Sequence, residues 1–95
     1  MAAFVIVDDD VTDPVRYEEY KKLTPGSLTP FSGRFVVRGG RVETLEGTWT
    51  PGRLVILEFP TVERAREWWS SETYQPAKAL RQSCARTEMI LVEGV

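Results

Sequence analysis

The sequence has no histidine and a single cysteine, Cys84. Without imidazole, no Ser-His-Asp or Cys-His relay can be assembled from one chain type. Nor can haem or zinc be held through histidine. Any general acid or base must be Asp, Glu, Tyr, Lys, Cys or a water. A lone cysteine excludes an internal disulfide and gives no sign of secretion. Clustered cations are lacking too: twelve Lys/Arg alternate with fourteen Asp/Glu, for a net charge of −2. A phosphate-tracking surface needs such clusters, so no nucleic-acid partner is expected. The apolar run Ala2 to Val7 stops at Asp8-Asp9-Asp10. It is too short to span a membrane and has no basic flank or cleavage pattern. The expected setting is the cytoplasm, with no membrane partner. Neither GxGxxG nor a Walker pattern occurs, and Gly39-Gly40 reads as a hairpin turn.

What is present describes one globular domain, residues 1–95, with 42% hydrophobic and 27% charged residues. Phe4 to Val7 is β-branched and apolar throughout, the pattern of a central strand. Asp13-Pro14 starts a helix carrying Val15, Tyr17, Tyr20 and Leu23 along its inner stripe. Thr24-Pro25 repeats that cap-plus-proline chemistry, so the helix is expected to break there. Strands follow at Arg34–Arg38 and, as a short edge strand, at Arg41–Glu46, then at Leu54–Phe59. Thr61 caps a second helix with Val62, Ala65 and either Trp68 or Trp69 facing in. Ser70 or Ser71 caps a further helical segment with Tyr74, Ala77, Leu80 and Cys84, where Pro76 is expected to cause a kink. Arg86–Glu93 closes the chain as a strand.

The order β-α-β-(short β)-β-α-β is the split βαβ pattern of an α+β, ferredoxin-like domain: an antiparallel sheet with helices on one face. Three of its strands are apolar on both sides, yet the helices cover only one. The other side would be an apolar patch larger than soluble monomers usually expose. A second copy packed sheet against sheet would cover it, so a homodimer is expected.

The segments FVIVDDDVTDPVRYEEYKKL, SGRFVVRGG, VETLEG with Trp49, RLVILEFPTVERAREWW and YQPAKALRQSCARTEMILVEG resemble the DUF1330 family. The resemblance runs from Phe4 to Gly94 in family order. It implies a dimeric α/β barrel built from two packed sheets, with a cavity between sheet and helices and no assigned activity. Ser32 stands where the family usually has glycine, and Pro76 interrupts a helix that the family generally continues.

No metal or cofactor is expected. Asp8 and Asp10 share a strand face but lack a glycine-spaced loop behind them, so the acidic run reads as a solvated strand end. Cys84 reads as core packing, since nothing stands ready to activate it. Glu58 is the candidate catalytic carboxylate. It shares a strand face with Leu54 and Ile56 and needs a partner there, for which Arg38 is the candidate. The plain alternative is a structural ion pair. Tyr17, Tyr20, Arg38, Trp69 and Arg81 are the candidate substrate-binding residues. The two tyrosines reach over the sheet, and only one of Trp68 and Trp69 can face the core squarely. An arginine would hold a carboxylate or enolate oxygen. Two functions fit: a dimeric small-molecule binder, with cofactor-independent catalysis on an oxygenated compound as its enzymatic form, or a non-catalytic sensor or accessory subunit whose pocket residues are core.

Overall fold

Successive strand residues point to opposite faces, and the first strand shows it directly in its burial. Ala3, Val5, Val7 and Asp9 are buried, whereas Phe4, Ile6 and Asp8 are only half-buried. In the computed structural model, which describes Met1–Val95, β1 runs from Ala3 to Val11. It extends well past Val7 and takes all three aspartates into the strand. The remaining strands are β2 (Arg34–Arg38), β3 (Arg53–Phe59) and β4 (Ala85–Glu93), in the spatial order β2-β3-β1-β4 with every neighbouring pair antiparallel. The helices α1 (Pro14–Leu28), α2 (Val62–Ser70) and α3 (Gln75–Cys84) pack on one face. This is the ferredoxin-like α+β fold. No helix is long and apolar enough to cross a membrane.

The helix starts follow the expected chemistry. Asp13 Oδ1 accepts from the amides of Val15 and Arg16, both at 3.2 Å, with Pro14 opening α1. Thr61 Oγ1 accepts from the Arg64 amide at 3.1 Å at the start of α2. The core centres on Trp68, whose ring lies 5.4 Å from that of Phe59 and 4.1 Å from that of Tyr74.

Four expectations are corrected. First, α1 does not break at Thr24-Pro25. A proline inside a helix leaves the carbonyl four residues earlier without its donor. Here that carbonyl belongs to Lys21, and Arg38 Nη2 donates to it at 3.0 Å. The buried stripe of α1 is accordingly Tyr17, Tyr20, Thr24, Ser27 and Leu28, while Val15 and Leu23 are 79% and 47% exposed. Second, residues 41–46 form no strand. The outer edge of β2 stays open, and the stretch after Gly39-Gly40 does not return to pair with it. Third, Pro76 makes no kink, because α3 begins at Gln75 and the proline falls in the first turn, where its missing N–H is not needed. Fourth, a bulge at Val36 separates Phe35, opposite Leu57, from Val37, opposite Ile56. The bulge turns every later residue of β2 over. Arg38 therefore pairs with Val55 on the helix side of the sheet.

The face away from the helices carries Phe4, Ile6, Val37, Leu54, Ile56, Ile90 and Val92. No element of the chain covers it, and Ile90 is 60% exposed.

Candidate functional site

Asp9 continues the buried row of Val5 and Val7, so its carboxylate enters the space between sheet and helices. It is only 1% exposed. Tyr17 in the first turn of α1 donates to Asp9 Oδ2 at 2.6 Å, and Thr87 on β4 donates to Oδ1 at 2.6 Å. Those lengths are typical of a hydroxyl donating to an ionised carboxylate. Arg53, opposite Asp9 on β3, donates from Nη1 to the Tyr17 oxygen at 2.9 Å. Gly39 leaves room for it, since a Cβ there would lie 2.6 Å from Arg53 Nε, and its φ of +69° already suits glycine. A second group lies beside the first: the Tyr20 and Tyr74 hydroxyls are 3.2 Å apart, and Arg81 Nε donates to Tyr74 at 3.4 Å. Every buried side-chain nitrogen and oxygen has a partner.

Two spaces adjoin this network. Under α1, a recess bounded by Asp9, Tyr20, Thr24, Arg38, Arg53 and Trp68 has a volume of only 10 Å³. That is about one water's worth. Between α2, α3 and β4 lies an open groove of about 650 Å³, with Trp69, Arg66, Arg81, Thr87 and Glu88 among its walls and Val5, Met89 and Leu91 as apolar surface. Volumes of roughly 300–1,000 Å³ are usual for small-molecule sites.

The structure thus brings Tyr17, Tyr20 and Arg81 together, with Arg38 at the edge of the narrow recess. Trp69 lies apart from them, on the groove, where Lys78 Nζ stands 3.6 Å over its ring. Trp68 is the inward tryptophan. Glu58 does not join them. It lies on the opposite face of the sheet, where its partner is Arg34, directly across on β2, and not Arg38. The bulge at Val36 is the physical reason, because it moved Arg38 through the sheet. Asp8 also serves the fold, accepting from the Gly52 amide at 2.8 Å and from Trp49 Nε1 at 3.0 Å. No group of three His, Cys, Asp or Glu side chains is arranged to hold a metal.

The family model of the domain of unknown function DUF1330 matches residues 2–95. The chain belongs to the DUF1330 family. No curated protein matches it in sequence. Its fold is similar to that of a protein of unknown function from Rhodopseudomonas palustris, with a TM-score of 0.80 at 16% identity over 99% of this chain and 82% of that one. A dimeric ferredoxin-like protein of unknown function from Jannaschia sp. CCS1 aligns with a TM-score of 0.74 at 13% identity, covering 99% of this chain and all (100%) of that one. SnoaB, a cofactor-independent oxygenase from Streptomyces nogalater, aligns with a TM-score of 0.58 at 13% identity over 99% and 92% of the two chains.

Within this DUF1330 chain, sequence reasoning passed over Asp9, Arg53, Tyr74 and Thr87 as site residues. One signal was available for Asp9: extending the alternation of Val5 and Val7 by one step puts it on the helix face. Arg53 and Thr87 become visible only through strand register.

Burial pushes the Tyr17 and Tyr20 phenols above the ordinary tyrosine value. The hydrogen bond and charge of Asp9 reinforce this at Tyr17, and the charge and hydrogen bond of Tyr74 do so at Tyr20. A folded value above the unfolded one means that their contribution to stability is complete below about pH 10 and is lost as pH rises beyond it. In an alkaline titration, these two of the three tyrosines should show no phenolate absorbance until the circular dichroism signal of the fold disappears. Reversible titration of all three near pH 10 in folded protein would contradict the buried network. Burial likewise raises the Cys84 thiol, consistent with a packing role.

Proposed function

We propose that this protein works as a homodimer that binds a small, oxygenated, partly apolar compound in the groove between α2, α3 and β4. One observation carries the ligand site. Arg81 is only 5% exposed, borders the groove, and belongs to no ion pair. A guanidinium has five donors, and the Tyr74 hydroxyl takes one of them. Removing a cation from water is costly, and although the nearby charge of Asp9 favours it, Arg81 makes no direct ion pair, which an anionic or strongly polarised ligand oxygen would supply. The uncovered apolar sheet face supports the homodimer, as does the dimeric description of the Jannaschia protein.

A thermal-shift screen of small oxygenated compounds tests this reading, with hits measured again on Arg81→Gln. A compound that stabilises the wild-type dimer should bind the variant about tenfold more weakly or worse, the loss expected for one charged hydrogen-bonded contact. Equal affinity for both proteins would exclude Arg81 as the anchor. The binding role is favoured over turnover because Asp9, Tyr17, Tyr20 and Tyr74 are all engaged with one another or with neighbouring side chains. The likeness to SnoaB concerns the fold alone. Oxygen uptake with a bound compound would move the reading to an enzyme.

A further inference from the structure

We infer that the groove's ligand is a flat, unsaturated compound bearing a single carboxylate, held by Arg81 and lying against Trp69. This rests on the groove reading above and narrows its chemistry. Around the groove, two arginines, Arg66 and Arg81, face one glutamate, Glu88, in a chain whose net charge is −2. The local excess of positive charge selects an anion. Helix α3 meets the groove through its last turn, with Arg81 and Gln82, while α2 lines it along one side, with Ala65, Arg66, Trp69 and Ser70. A helix C-terminus carries partial negative charge. It steadies a cation such as Arg81 and works against a second negative charge on the ligand, so a phosphate ester or dicarboxylate is disfavoured. The planar guanidinium fork matches one planar carboxylate. The neighbouring wall supplies the ring contact. Trp69 is 47% exposed, and Lys78 holds its ring in place both by lying over it and by donating to the Trp69 carbonyl at 3.1 Å. Flat π systems gain from offset stacking on such a ring beyond simple area burial.

Calorimetric titration of the wild-type dimer with naphthoate, naphthamide, naphthyl phosphate and decahydronaphthoate separates the claims. Naphthoate should bind about tenfold or more tighter than the neutral amide and tighter than the phosphate. It should also exceed its saturated analogue, and Trp69→Leu should erase that last difference while leaving the dimer intact. Naphthamide or naphthyl phosphate binding as tightly as naphthoate, while still perturbing the Trp69 indole resonance, would overturn the carboxylate assignment and leave the groove reading standing. Failure of every probe to shift the Trp69 resonance would overturn both.

Discussion

Asp9→Ala should destabilise the protein by about 3 kcal/mol or more, among the largest losses that one side chain can cause. Two hydroxyl donors, from Tyr17 and Thr87, would lose their acceptor, and that of Tyr17 is buried. Hydrogen bonds to a charged group each contribute roughly 1.5–3 kcal/mol, and orphaned buried donors add their own desolvation cost. Arg81 would also lose a negative charge that helps hold its own charge in place. A domain of this size has only about 5–15 kcal/mol of total stability, so the alanine variant risks unfolding outright. Asp9→Asn serves as the second variant. Its carbonyl oxygen still accepts from one hydroxyl while its amide faces the other, so its cost should be about half. Urea unfolding of all three proteins with unchanged slope would measure both losses. A loss below about 1 kcal/mol for the alanine variant would mean that Asp9 is solvated and the polar cluster is not a structural unit.

Ile56→Asp should split the proposed dimer. Ile56 lies in the middle of the uncovered sheet face, opposite Ile6 on one side and Val37 on the other. Two-fold symmetry would place the new carboxylate in the interface twice, without a counter-charge in either copy. An uncompensated charge buried in an apolar contact costs several kcal/mol, so the dissociation constant should rise by about a thousandfold or more. Light scattering should report about twice the 10.8 kDa chain mass for wild type at micromolar concentration. The variant should give the single-chain mass with its circular dichroism retained. A dimeric Ile56→Asp protein would show that this face is not the interface, and a monomeric wild type would remove the homodimer altogether.

Strand alternation and helix-cap chemistry made most of the fold legible in the sequence. Phe4 to Val7, Asp13-Pro14, Thr61 and the apolar faces of Leu54–Phe59 led directly to the split βαβ order. The failures that bear on the site share one physical origin, a long-range hydrogen bond or strand pairing, whereas Pro76 was a local matter of where α3 begins. Thr24-Pro25 reads as a helix break because the sequence does not disclose that Arg38 takes the carbonyl freed by the proline. Arg38 itself was assigned to the wrong face because a bulge is set by pairing with β3 and not by local composition. Arg41–Glu46 alternates like a strand but makes no ladder with the open edge of β2. For the candidate site, the sequence singled out Tyr17 and Tyr20, three apart on α1, and Arg81 on α3, which the structure brings together. It could not assemble Asp9, Arg53 and Thr87, which come from three strands and meet through register. Ser32 is a smaller example. Its left-handed backbone, φ 57°, is the conformation for which a glycine is the ordinary choice at that turn.

The junction of α3 and β4 fixes one wall of the groove. Helix gives way to strand between Cys84 and Ala85 with no residue in between, and the Cys84 carbonyl accepts from the amides of both Thr12 and Asp13, at 2.8 and 3.1 Å. That corner ties the end of β1, the start of α1, α3 and β4 to one point, a single helical turn from Arg81. Arg81 therefore stands on the fixed jaw of the cleft. The opposite jaw is braced from the same helix, since Gln75 and Lys78 of α3 donate to the Ser71 and Trp69 carbonyls at 2.9 and 3.1 Å, so a guest meets a cation and a ring on two walls held by one element.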